Sequence, residues 1–359
     1  MRDDTPNVLE LELPELEARL RELGARPFHA RQIFRWTHRR GATSFDVMTD
    51  LSLPLRARLA DMLSIGDPTI DARETSDDGT TKFRLRLADA TAIESVAIPA
   101  EAGTTLCLST QVGCAMACGF CLTGKMGLTR NLRAGEIAGQ VRVVGDALGI
   151  LDRRFNIVLM GMGEPLHNYD NTLRALRMLA CPYGLGISPR RVTLSTVGLV
   201  PGIARLATEP VMPNLAISLH GTTEDQRNAL VPLNRKYSLA EVLEACRRFP
   251  LPQRRRITFE YVLLEAINDQ PEDAERLAVL LRDVRAKVNL IPLNEAPGIP
   301  FRRPDDQRVD RFAAILARHH LTVSVRKSRG RDIRAACGQL IVGGARRSPS
   351  HVMAERMGG

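Results

Sequence analysis

From about residue 104 the chain repeats one unit: a short apolar strand, a loop and an amphipathic helix. Strands are expected at Thr105–Ser109, Ile157–Met160, Arg191–Ser195, Leu215–Leu219, Ile257–Leu263 and Val288–Pro292. The helices between them are expected near Ala134–Leu148, Asn171–Leu179, Pro201–Ala207, Leu239–Arg247, Glu272–Val284 and Pro304–Arg318, and a last strand at Leu321–Val325. Repeated β-α units imply an α/β fold with a parallel sheet and right-handed crossovers. Six units are too few for a closed eight-unit barrel, so an open or partial barrel is expected.

Ahead of this body, Leu9 to Leu23 places leucines at helical spacing and Arg31 to Trp36 begins a second amphipathic segment. Pro54 sits near the start of a third helix, where proline is tolerated. The polar, turn-rich stretch Glu74 to Thr81 marks a change, after which Lys82–Leu87 and Thr91–Pro99 read as two strands of a ribbon. The expected divisions are a helical domain over 1–73, a linker and β-ribbon over 74–103, the α/β body over 104–343, and a Gly-, Arg- and Ser-rich tail over 344–359. The tail is expected to be disordered.

The chain has 50 Lys and Arg against 41 Asp and Glu, a formal charge of +9. A positive field concentrates polyanions, and nucleic acid is the natural candidate. Arg26, His29, Arg31, Arg35, His38, Arg39 and Arg40 cluster in the N-terminal helices, where the plain alternative is a solvated helix face. No segment reaches the roughly 18 apolar residues of a membrane span, and the acidic Met1–Glu17 lacks the order of a signal peptide. The cytoplasm is the expected compartment. Thiols stay reduced there, so seven cysteines point to metal or catalysis and not to a disulfide framework.

Three of them stand in CAMACGFC, where Cys114, Cys118 and Cys121 are spaced Cys-x3-Cys-x2-Cys. Cysteine thiolates hold iron–sulfur clusters. Three thiolates on a four-iron cluster leave one iron open to chelate S-adenosylmethionine, whose sulfonium can then be cleaved to a radical. Structural zinc takes four protein ligands, and no second Cys-x2-Cys or His-x3-His pair is present. The loop follows the first strand of the body, which places a cluster at the barrel mouth.

The other strands end in polar or glycine-rich motifs: Gly161-Met162-Gly163-Glu164-Pro165, Ser195-Thr196-Val197-Gly198, Ser218-Leu219-His220 and Asn294. This is the face where a barrel builds its pocket. An edge strand of backbone at Gly161–Glu164 is expected to bind the amino group of the methionine moiety, and Ser195, Ser218, His220 and Asn294 to hydrogen-bond the ribose and adenine. Each alone reads equally well as a turn or cap; their shared placement favours a pocket. Cys107 and Cys337 are open to two readings, reactive thiols or small core residues. Cys181 and Cys246 read as core residues.

CLSTQVGCAMACGFCLTGKMGLTRNL, GMGEPL, VTLSTVG, AISLH and RKSRGRDIRAACGQL together resemble the RlmN family of dual-specificity RNA methyltransferases, with the related Cfr branch close behind. The likeness extends to PFHARQIFRW and to the acidic residue of Ile93-Glu94-Ser95-Val96. It implies a radical SAM partial barrel of six β/α units with an N-terminal RNA-binding helical domain. It implies a [4Fe-4S] cluster on Cys114, Cys118 and Cys121, and two S-adenosylmethionine molecules per turnover, bound by Gly163, Glu164, Ser195, Ser218, Leu219, His220 and Asn294. One molecule would methylate Cys337; the other would supply the radical that activates that methyl group. Glu94 would remove the adenine ring proton, and Cys107 would attack Cys337 to release the product as a transient disulfide forms. The implied substrates are an adenosine of 23S rRNA and the adenosine beside the anticodon in tRNA, methylated at carbon 2, with carbon 8 the Cfr alternative. The implied partners are a flavodoxin- or ferredoxin-type electron donor and no membrane, with the enzyme working as a monomer. A non-catalytic iron–sulfur RNA-binding protein is the rival from another class. The basic runs Arg254-Arg255-Arg256 and Arg302-Arg303 would bind phosphates. Gly221 stands where this family leads one to expect alanine.

Overall fold

The computed structural model describes residues 5–101, 103–210 and 212–342. The tail expected over 344–359 lies outside them.

The N-terminal region folds as three helices, α1 (Leu13–Glu22), α2 (Pro27–His38) and α3 (Leu53–Met62). Each has a proline in its first turn, where the missing N–H has no helical partner to lose. Leu16, Leu20, Ile33, Phe34, Leu55 and Leu59 form their buried face and share one core with the rest of the chain. The acidic start of the chain docks this unit. Glu15 pairs with Arg174 (2.7 Å), Glu12 with Arg177 (2.8 Å), and a Glu10 oxygen accepts the Gly135 N–H (2.7 Å). The basic face of α2 is smaller than its sequence suggested: His38 is buried, stacked on Phe34 and bonded to Arg142. Burial pushes its pKa well below the usual imidazole value.

The ribbon has three strands, one more than the sequence suggested: β1 (Thr69–Thr75), β2 (Thr81–Arg86) and β3 (Ala92–Ala100). The boundary expected after residue 73 therefore falls inside a strand. β1 reads as polar because neither face is covered; it is held by pairing with β2 from Thr69↔Arg86 to Thr75↔Thr81. Nor is the ribbon a separate linker. β3 pairs antiparallel with β4 (Gly103–Cys107), the first strand of the body, so ribbon and body form one ten-stranded sheet.

A hairpin outside that sheet, β5 (Gln111–Cys114) and β6 (Gly127–Asn131), encloses the short helix α4 (Leu122–Lys125). The body then alternates as expected: α5 (Ala134–Ala147), β7 (Phe155–Leu159), α6 (Tyr169–Ala180), β8 (Val192–Thr196), α7 (Val200–Leu206) and β9 (Asn214–Ser218). It continues with α8 (Glu224–Leu230), α9 (Leu239–Arg248), β10 (Ile257–Leu263), α10 (Pro271–Leu280), β11 (Ala286–Pro292), α11 (Asp306–Arg318) and β12 (Thr322–Val325). From β4 to β12 the neighbours are parallel and follow chain order, with β1 and β12 as the two edges, so the barrel stays open. β10 is buried along its whole length, as a central strand covered on both faces must be.

Candidate active site

The connection from β4 to α5 carries the three spaced cysteines. Cys114 ends β5, Cys118 lies in the following turn and Cys121 precedes α4. Gly113 fixes where the turn begins. It adopts φ +79°, and a Cβ there would lie 1.9 Å from the Gly127 carbonyl oxygen, so only glycine fits. The Gly119 N–H donates to the Leu230 carbonyl (3.0 Å) and pins the turn to the end of α8. Cys114 and Cys118 are packed with Met116, Leu230, Val231, Val262 and Leu293, an apolar lining that keeps water out.

All three cysteines border one cavity of about 150 Å³ at the carboxyl ends of the strands. Gly163, Glu164, Ser195, Ser218, His220, Asn294 and Cys337 border it too. The Ser195 and Ser218 hydroxyls lie 3.4 Å apart on adjacent strands. Leu219 does not face the cavity. It is fully buried in the main core, and its carbonyl accepts from Arg227 Nε (3.2 Å). Gly161–Glu164 is a bend, not an edge strand, and its Met162 and Glu164 N–H groups donate to Ser109 Oγ (2.9 Å) and Gln111 Oε1 (2.8 Å).

Cys107 borders a second, smaller cavity of about 70 Å³ beside the first. Cys337, Asn294, Arg326 and Met160 border both. The exposed Cys337 thus stands between the cysteine cavity and buried Cys107. All seven cysteines are free, so no disulfide joins this pair here. Cys181 is half-buried and Cys246 is buried in the core. Glu94 borders neither cavity. It sits on β3, where its carboxylate lies 3.4 Å from Lys82 Nζ and accepts the Ile341 N–H (2.9 Å).

Burial dominates the electrostatics. It raises Glu164 to about 7, against the lowering effect of the Val197 and Leu166 N–H groups that donate to it (2.9 and 3.0 Å). His220 adopts φ +59°, accepts the Val262 N–H on Nδ1 (3.0 Å) and meets Phe120 edge-on. Burial lowers its pKa to about 3, so it is a neutral ring. Burial raises Cys107 and Cys114 to about 12, Cys118 well above its ordinary value, and Cys121 as well. Cys114, Cys118 and Cys121 would ionise in so apolar a setting where a bound cationic iron core compensated their charge.

The donor set fits an iron–sulfur cluster. Among the described residues no three metal-binding side chains converge on a single ion. A cluster does not ask for that, because each thiolate binds a different iron. The cavity also has an unused acceptor: Asn294 Oδ1 is buried without a partner among the described residues, while its Nδ2 donates to the Cys337 carbonyl (3.4 Å). Such an acceptor suits a ligand N–H.

One cavity residue and one buried residue behind the cavity wall were not foreseen from the sequence. Glu260, on β10, accepts from Asn289 Nδ2 (2.9 Å), and its other oxygen lies 3.6 Å from Arg326, just past β12. The signal was present as the one charge inside the apolar run ITFEYVL. Arg227 was also missed. It is fully buried and donates to the Leu219 and Val197 carbonyls and to Asn234 Oδ1. Gly221 is explained by the approach of α8, since a Cβ there would lie 2.9 Å from the backbone nitrogen of Arg227.

Residues 6–65 match the ribosomal RNA large subunit methyltransferase N-terminal domain, and residues 108–278 match the radical SAM superfamily. The protein named dual-specificity RNA methyltransferase RlmN of Geobacter sulfurreducens is 52% identical over 92% of this chain and 90% of its own length. The chain belongs to the RlmN family. RlmN 2 of Myxococcus xanthus is likewise 52% identical, over 89% of this chain and 86% of its own. The crystal structure of a radical SAM methyltransferase from Sphaerobacter thermophilus superposes with a TM-score of 0.89 at 48% identity, covering 93% of this chain and 99% of that one. The fold is therefore the radical SAM fold with an N-terminal helical region, and membership makes this chain an RNA methyltransferase of the radical SAM class. No helix among the described residues is long and apolar enough to cross a membrane.

Proposed function

We propose that this chain methylates carbon 2 of one adenosine in 23S rRNA and of the adenosine beside the anticodon in tRNA, with the methyl group carried on Cys337. One observation carries this reading: Cys337 borders both the cavity of Cys114, Cys118 and Cys121 and the cavity of Cys107. A thiol that must be loaded beside a radical source and then cleared by a second thiol needs both neighbours.

Cys114, Cys118 and Cys121 would hold a [4Fe-4S] cluster. Gly163, Glu164, Ser195, Ser218, His220 and Asn294 would bind S-adenosylmethionine, used twice per turnover, with buried Leu219 setting the spacing of Ser218 and His220. Cluster and S-adenosylmethionine together supply one-electron cleavage of a sulfonium, which yields a hydrogen-abstracting radical. Such chemistry is needed because carbon 2 of adenine is not nucleophilic. Glu94 would take the ring proton once the Ile341 N–H releases it. Cys107 would attack the Cys337 sulfur, forming a sulfur–sulfur bond as the bond from Cys337 to the methylated base breaks. Two electrons from a flavodoxin- or ferredoxin-type donor would reduce that disulfide. The target base must be unstacked to reach the cavity. The enzyme would work in the cytoplasm as a monomer.

Nucleoside mass spectrometry tests this reading on rRNA and tRNA from cells lacking a related enzyme, with and without this chain. 2-Methyladenosine in both pools is the expected result. 8-Methyladenosine would assign Cfr-type chemistry instead, and neither product would overturn the proposal.

A further inference from the structure

Because the strands of the body are parallel, their amino ends meet at the end of the barrel away from the cysteine cavity. The segments entering β10, β11 and β12 surround an open cleft there of about 870 Å³. Six cations border it: Arg254, Arg255 and Arg256 before β10, Arg282 and Arg285 after α10, and Lys287 at the start of β11. Among the described residues no carboxylate borders it. Glu275, at its rim, pairs with His319 (2.5 Å) and Arg318 (3.9 Å) and with none of the six.

Three of the six are oriented by neutral oxygens. Arg255 donates to the Met212 carbonyl (3.1 Å), Arg256 to Thr322 Oγ1 (2.5 Å) and Arg285 to the Leu251 carbonyl (2.7 Å). Such bonds aim a guanidinium without cancelling its charge. Gathering like charges this way works against folding, and a bound polyanion relieves it. Among the described residues no Phe, Tyr or Trp borders the cleft; its only rings are His319, held by Glu275, and His320. With six cations and few rings, the cleft suits phosphates better than bases.

We propose that this cleft binds the phosphodiester backbone of the RNA substrate, at the far end of the barrel from the reacting adenosine, so that one folded RNA contacts both ends. This rests on the RNA-methyltransferase reading above. The separation is modest: the seven residues of β10 span roughly 23 Å. The structure also divides two basic runs that look equivalent in sequence. Arg302-Arg303 lies on the mouth side, where the Arg303 N–H donates to Glu295 just past β11, while Arg254-Arg255-Arg256 lies at the foot.

The test uses Arg254→Gln, Arg282→Gln and Lys287→Gln combined in the cluster-loaded full chain. All three are exposed and make no side-chain hydrogen bond among the described residues, so folding is spared. Binding of a full tRNA transcript is measured against salt, beside a short stem-loop that presents the target adenosine but ends before the foot. The triple variant is expected to bind the full transcript about tenfold more weakly near 0.15 M salt, with the log–log salt slope reduced by about 2. The stem-loop should bind as it does to the wild type, and Arg254→Lys with Arg282→Lys beside Lys287→Gln should bring the slope back to within about one contact of the wild type. An unchanged slope on the full transcript overturns the proposal, as does an equal loss on the stem-loop, which would mean only a general field. The readout is binding, so it is separable from the functional reading. A wild type that binds RNA through the cleft yet makes no methyladenosine keeps this site and loses that function.

Discussion

The Glu94 carboxylate accepts the backbone N–H of Ile341 at 2.9 Å, which fastens the far end of the Cys337 segment to strand β3. Lys82, on the neighbouring strand, lies 3.4 Å from the same carboxylate and donates to the Ile333 carbonyl (2.6 Å) on the other side of Cys337. Thr123 Oγ1 donates to the Leu340 carbonyl (2.7 Å), and the Leu122 N–H to that of Gly338 (2.8 Å). The segment is thereby held between the ribbon and the cysteine loop.

Replacing Glu94 with alanine should therefore cost stability as well as turnover. It strands the Ile341 N–H and leaves the buried Lys82 amine with the exposed Glu74 as its carboxylate partner. A loss of about 2–3 kcal/mol is expected. Glu94→Gln keeps an acceptor and should recover much of that stability while turnover stays low. Thermal unfolding and methylation rates separate the two effects, and a glutamine variant with full turnover would remove Glu94 as the proton acceptor.

Gly113→Ala should empty the cluster site as surely as removing a ligand. The added Cβ meets the Gly127 carbonyl in a left-handed backbone, so the hairpin that ends in Cys114 must open. After anaerobic reconstitution, iron content should fall to the level of Cys118→Ala. Wild-type iron in either variant would count against the cluster site described here.

Cys107→Ala should stall the enzyme at release. With no thiol to attack Cys337, the RNA should stay covalently attached to it. A denaturing gel with labelled RNA reads this directly; turnover without any adduct would dismiss Cys107 as the releasing thiol.

Glu164 should impose a pH dependence on the stability of the cofactor-free chain. Its folded pKa, about 7, is raised above the ordinary 4.5, so the folded state holds its proton more tightly. Its contribution is fully present below about pH 4.5, declines as pH rises, and is lost above about 7. Relative to Glu164→Gln, the wild type should lose about 3 kcal/mol across that window, at 1.4 kcal/mol per unit. Urea unfolding of both proteins at the two ends of the window measures it, and a constant gap would contradict the shift.

Much of this was legible locally. The β-α alternation from residue 104 survives with small shifts at element ends, because hydrophobic periodicity is a property of neighbouring residues; the β5–β6 hairpin with α4, and the extra helix α8, were not foreseen. The pocket motifs were legible for a related reason: in a parallel sheet every strand's carboxyl end lies on the same side, so knowing the strands placed Ser195, Ser218, His220 and Asn294 together. β1 was missed because TIDARET has two solvated faces and carries no alternation. Leu219 entered the set of cofactor contacts through the family likeness; just past the end of β9 its side chain turns into the main core.

The sequence by itself determined the fold class, the cysteine spacing and the family likeness, since each is written in short-range order along the chain. Only the tertiary structure decided that Cys337 stands between two cavities, that Glu260 meets Arg326, that Glu94 anchors the C-terminal segment, and that two basic runs lie at opposite ends of the barrel. These are pairings of distant segments. They depend on the order in which strands join the sheet and on which loops pack at each end, and no local pattern records that.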